Sequence, residues 1–124
     1  MTTLKLKRAY EPASDSDGYR VYIDRLWPRG LSHETFRYDS WDKDIAPSTD
    51  LRHWFHENPD ANWSLFAGKY AAELHANPKW PDFVAELGAH AVATLLYSSH
   101  NEQENNARVV LETLLADFPD SFTS

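Results

Sequence analysis

Apolar and polar residues alternate from Leu4 to Ala9: Leu4, Leu6 and Arg8 fall on one face, Lys5 and Lys7 on the other. Such alternation predicts a half-exposed strand, and the lysines suit an edge position. EPASDSDG follows Tyr10; its Pro, Ser, Asp and Gly content predicts a surface loop turning at Asp17-Gly18, with Asp15 to Asp17 solvated. A second strand, rich in β-branched and aromatic residues, runs from Tyr19 to about Leu26 and breaks at Trp27-Pro28-Arg29-Gly30. The stretch from Leu31 to Ala46 carries little pattern and reads as mostly irregular, with short turns from Ser32 to Phe36 and from Trp41 to Ile45. Ser48 is placed to cap a helix running to about His56, with Asp50 complementing the helix dipole in the first turn. Asn58-Pro59 begins the next helix, whose Trp63, Phe66, Ala67, Tyr70, Ala71 and Leu74 recur at spacings of three and four. Asn77-Pro78 begins a shorter helix lined by Trp80, Phe83, Val84 and Leu87 and closed at Gly88. AVATLLY, residues 91 to 97, is continuously apolar, as expected of a central strand covered on both faces. Asn101 is placed to cap a last helix bearing Ala107, Val110, Leu111, Leu114 and Leu115, which Phe118-Pro119 ends.

The order strand, strand, helices, strand, helix predicts an α/β fold: a small, mostly parallel sheet of about three strands covered by four to five helices. The long helical crossover makes the second and third strands parallel, with a right-handed connection. A chain of 124 residues, 42% apolar and 14% aromatic, suits one domain spanning residues 1–124 and able to bury its own core.

A formal net charge of −7 argues against an extended nucleic-acid duplex or an anionic membrane as partner, because both are held by cations neutralising phosphate. A local basic pocket survives that argument. The absence of cysteine excludes disulfides, a thiol nucleophile and thiolate metal sites. With no signal-peptide core at MTTLKLKRAY and no apolar run of membrane length, a cytoplasmic location is expected.

If the Tyr19 and Ala91 strands are parallel, their C-terminal ends open on one side. Arg25, Trp27 and Arg29 then face Tyr97, Ser98, Asn101 and Asn105, with Arg52 reaching back from the helix after Ser48. Guanidinium forks and free N–H groups at a helix start suit phosphate or carboxylate, so an anionic or nucleotide-like ligand is expected. Asp24 and His100 are the acid/base candidates for a hydrolase or transferase reaction. The competing reading pairs Arg25 with Asp24, Asp42 or Asp44 and leaves Trp27 as core. A second competing reading is a protein-interaction module with Trp27, Trp41 and Trp54 on an exposed patch. His53 and His56 share a helical face but lack a third ligand, so neither a metal nor another cofactor is expected. Oligomeric state is not legible.

Asp24-Arg25-Leu26-Trp27-Pro28-Arg29-Gly30, Trp41, Ala46-Pro47-Ser48, Leu51-Arg52-Trp54-Phe55, Leu95-Leu96-Tyr97-Ser98, Asn105-Asn106-Ala107 and Val109-Val110-Leu111 together span nearly the whole chain. They resemble the YeaO-like branch of the domain-of-unknown-function 488 family. The resemblance implies a compact cytoplasmic α/β domain without a known cofactor or assigned activity. Longer relatives carry a Cys-His-Arg element at the start of the last helix, which this chain lacks. Members similar to this one are expected to carry a histidine where Glu104 stands.

Overall fold

The computed structural model describes all 124 residues. Five strands form one sheet: β1 (Thr2–Arg8), β2 (Tyr19–Tyr22), β3 (Ser40–Trp41), β4 (Val92–Tyr97) and β5 (Phe122–Thr123), in the order β3-β2-β4-β1-β5. Every neighbouring pair is parallel. Four α-helices accompany them: α1 (Thr49–Glu57), α2 (Pro59–Ala76), α3 (Trp80–Gly88) and α4 (Asn106–Asp117). The α/β class and the parallel sheet stand as expected; the strand number does not. β3 and β5 are two-residue strands, too short to show a period of two, and β3 lies inside the stretch that reads as irregular.

β4 is the middle strand, pairing with β1 from Thr3↔Val92 to Arg8↔Tyr97 and with β2 from Tyr19↔Ala93 to Tyr22↔Leu96. Its apolar run is explained by cover on both sides. Leu4, Val21, Ile23, Ala93, Leu95 and Tyr97 point into a core of 20 buried residues to which all four helices contribute. The alternate positions Tyr22 and Leu96, with Ala9, meet Phe36 and pack under Trp27, Leu31, Tyr38 and Trp41. Helices therefore cover one face of the sheet and the loop from β2 to β3 covers part of the other.

That second face also holds the polar residues of the strands. Lys7 donates to both carboxylate oxygens of Asp17 (3.1 Å each), Arg20 pairs with the same carboxylate, and Thr94 donates to the Asp17 carbonyl (2.6 Å). Asp17 is only 4% exposed, which overturns its expected solvation: the turn folds its side chain under the sheet, between two cations. The lysines of β1 mark this polar face rather than an edge, since β5 lies outside β1. Gly18 makes the close approach possible. With φ at +62°, an added Cβ would stand 2.4 Å from the Val92 carbonyl oxygen.

Further boundaries differ from expectation, α3 among them, which begins at Trp80 rather than at Asn77-Pro78. β2 stops at Tyr22, not near Leu26, because beyond the Ile23 amide, which still reaches the Leu96 carbonyl (3.3 Å), the chain leaves the ladder. The last helix begins at Asn106, and its cap is Asn105, whose side chain accepts from the Arg108 amide (2.9 Å). Asn101 instead accepts from Gln103 and Glu104 amides within its own turn (2.9 and 2.8 Å). Ser48 caps α1 as expected, accepting from the Leu51 amide (3.2 Å). No helix is long and apolar enough to cross a membrane.

Candidate functional site

Parallel strands put the ends at Arg8, Tyr22 and Tyr97 on one side of the sheet, and the chain leaving each helps to wall a cavity of about 480 Å³. The loop after β2 supplies Asp24 to Trp27 and Arg29; the loop after β4 supplies Ser98 to His100; the start of α4 supplies Glu104, Asn105 and Asn106. Across from them stand Ala46 and Pro47, then Arg52, Phe55 and His56 on one face of α1, with Phe66 of α2 behind.

Asp24 is the hub of the strand ends. One carboxylate oxygen accepts from the Ser98 amide (2.7 Å) and hydroxyl (2.6 Å), and the other accepts from the Asn106 side chain (2.7 Å). Its carbonyl accepts from the Trp41 indole (2.7 Å). One residue thus ties β2, β3, β4 and α4 together. The Tyr22 hydroxyl donates to the Leu26 carbonyl (2.8 Å), fixing the start of the loop. Burial first, and then the Asp24 charge, push the Tyr22 phenol far above its ordinary value, so it remains a donor.

The arginines are arranged differently. The chain's ion pairs are Lys7–Asp17, Arg20–Asp17, His75–Asp117 and Lys79–Asp44, so Arg25, Arg29 and Arg52 pair with no acid. Arg25 makes one long contact to the Pro47 carbonyl (3.5 Å), and its Nε is buried with no partner. An uncompensated buried donor costs on the order of 1–3 kcal/mol, more when charged. The pairing of Arg25 with Asp24, Asp42 or Asp44 does not occur.

Eight of the ten expected site residues line this one cavity: Asp24, Arg25, Trp27, Arg29, Arg52, Ser98, His100 and Asn105. Tyr97 does not, because as the last residue of β4 it points into the helical core and is 3% exposed. Asn101 does not either, being outside on its turn. Trp27 walls the cavity but has little freedom to stack on a ligand. Its indole donates to the Leu31 carbonyl (2.6 Å), His33 stacks on it at 3.9 Å, and Phe36, Tyr38 and Trp41 meet it at steep angles. His100 lies at the rim, its Nδ1 3.4 Å from the Arg8 guanidinium. Asn106 is the contributor that sequence reasoning passes over. The signal is the paired asparagine before an apolar helix: the first caps, and the second reaches Asp24.

A second, acidic hollow of about 310 Å³ lies between Trp41, Asp42 and α3, with Glu86 and Asp82 on its wall. Burial, followed by the neighbouring Glu86, pushes Asp42 up to about 6, and one oxygen of Asp42 is buried without a partner. No group of three or more His, Asp or Glu side chains is placed to hold a metal ion.

A family model described as the inactive DUF488-N3 subclade matches residues 3–121. The chain belongs to the YeaO-like branch of the DUF488 family. It is 40% identical over 111 residues to the uncharacterized protein YeaO of Escherichia coli (strain K12), covering 90% of this chain and 96% of that one. It is 33% identical over 113 residues to the uncharacterized protein Rv3073c of Mycobacterium tuberculosis (strain ATCC 25618 / H37Rv), covering 91% and 94%. No solved structure matches it significantly. For this branch of DUF488, the D-R-L-W-P-R-G block has a physical reading here: Asp clamps the strand ends, Trp roofs the second core cluster, and the two arginines face the cavity.

Proposed function

We propose that the cavity at the strand C-terminal ends binds a small anionic ligand of phosphate or nucleotide type, and that it binds without catalysing a reaction. The observation that carries this reading is Arg25: in a chain of net charge −7, a guanidinium with a buried, unpartnered Nε lines a cavity beside two further arginines that have no acid. A phosphate or carboxylate is the natural partner for a guanidinium that lines a cavity without an acid of its own. The position agrees with the rule that ligands of open parallel sheets gather beyond the strand ends.

Turnover has less support than binding. Asp24 already accepts three hydrogen bonds from Ser98 and Asn106, and His100 sits at the rim against Arg8 rather than against a nucleophile. The description of the matching subclade as inactive supports the same side. Likewise, the interaction-module reading finds little support. Trp27 and Trp41 pack in the second cluster, while Trp54 packs against the helical core with Lys69 over its ring, so the three form no shared patch.

The test is thermal denaturation with inorganic phosphate, pyrophosphate, sugar phosphates and nucleotides, followed by calorimetry. A ligand at 100 times its Kd should stabilise the protein by about 2.7 kcal/mol, and R25A should cut that gain to about 0.4–1.4 kcal/mol. Failure of every one of these anions to stabilise the wild-type protein at millimolar concentration would overturn the reading.

A further inference from the structure

The strand order divides the cations of the cleft into two groups. Arg25 and Arg52 stand at the β3 flank, where Arg25 reaches the Pro47 carbonyl just before α1 and Arg52 lies in the first turns of that helix. Arg29 stands at the β1 flank, since its own carbonyl accepts from the hydroxyl of Tyr10, two residues beyond β1 (2.9 Å). In the order β3-β2-β4-β1 the flanks are three strand spacings apart, on the order of 14 Å between backbones.

Between the two groups the lining changes character. The ends of β2 and β4 present Asp24 and Ser98, and Glu104 stands beside them at the approach to α4. Two carboxylates here disfavour a third negative charge and favour hydroxyl donors. We propose, resting on the anion-binding reading above, that the ligand carries a phosphate at each end of a hydroxyl-bearing spacer: a bisphosphate of the sugar or nucleoside type. One phosphate meets Arg52 and the part of the Arg25 guanidinium that lines the cavity. The other meets Arg29, and the spacer hydroxyls donate toward Glu104 and the Asp24–Ser98 pair. A cavity of about 480 Å³ has room for such a molecule, whereas a lone phosphate would leave most of it to water.

The test is titration calorimetry of the whole chain with inorganic phosphate, a hexose monophosphate, the corresponding hexose 1,6-bisphosphate and a nucleoside 3′,5′-bisphosphate. At least one bisphosphate should bind tenfold or more tightly than the monophosphate. R29A, at an exposed position with no effect expected on folding, should remove that advantage, while R25A should weaken mono- and bisphosphate binding alike. The two bisphosphates separate a sugar from a nucleoside spacer. Equal affinity for mono- and bisphosphates, with R29A silent, would overturn the two-phosphate inference and leave the anion-binding reading standing. Absence of binding by all four compounds would overturn both.

Discussion

Arg20 and Arg25 are five residues apart on one strand and the loop that leaves it, yet the fold treats them in opposite ways. Arg20 is 7% exposed and complete: its guanidinium pairs with Asp17, and its Nε donates to the Arg37 carbonyl (2.8 Å). Arg25 lies nearer the surface, beside a cavity, with no acid and an unmet donor. The same side chain is structural where the protein supplies an acid and an acceptor for Nε, and a candidate for binding where it supplies neither. Counting arginines in the sequence does not separate the two; counting the partners of each does.

The contrast can be broken most directly at Asp17. D17A strands Arg20 and Lys7 on the loop-covered face, and loss of one partner from a buried pair costs about 3–5 kcal/mol, so the urea midpoint should fall steeply. Burial raises Asp17, but hydrogen bonds from the Ser14 amide, Lys7 and Arg20 outweigh it and hold the carboxyl below its ordinary 3.8. Its contribution is therefore complete above the unfolded value and is lost as the pH falls through the acid range, which an acid titration of wild type against D17N would show.

R25A should behave in the reverse manner. Removing a guanidinium whose Nε has no acceptor should leave stability unchanged or raise it by up to about 1–3 kcal/mol, while anion affinity falls tenfold to a hundredfold, about 1.4–2.7 kcal/mol. A loss of several kcal/mol in the urea midpoint of R25A would show that Arg25 is structural after all and erase the distinction.

Asp42 sharpens the lesson on the acidic side, because it faces another acid where Asp17 faces two cations. With its carboxyl raised to about 6, the folded chain holds a proton there that the unfolded chain releases near 4. Stability from this group is present below about 4 and is lost as pH rises from about 4 to 6, opposite in sign to Asp17. D42N replaces a repelling oxygen with a donor toward Glu86 and should stabilise the protein by about 1 kcal/mol at pH 7–8, with little effect at pH 4, as read by denaturation at the two pH values.

Much of this architecture was legible in the chain. AVATLLY announced the middle strand, Ser48 its helix, and the stripe from Trp63 to Leu74 the core face of α2, since each rests on a strong local rule. The parallel arrangement then brought eight of ten expected residues to one cavity without any knowledge of side-chain geometry. What escaped is equally physical. Two-residue strands have no period. Ile23 to Leu26 continue the composition of β2 but not its ladder, because Asp24 turns toward Ser98 and Asn106. Asn101 and Asn105 are both plausible caps, and only the start of α4 chooses between them. Asp17 sits in a stretch that looks solvated, and its burial depends on Lys7 and Arg20 arriving from two other strands.

The pairing of β5 with β1 sets Thr2 against Phe122 at the end of the sheet opposite the cavity. A short peptide joining those neighbouring ends would close the backbone into a ring, which could then be reopened at the exposed Glu57-Asn58 junction between α1 and α2. The resulting circular permutant would keep the strand ends that carry Asp24 and Ser98 in place. For the same reason, tethering the chain to a surface through either end would leave the mouth of the cleft facing solution.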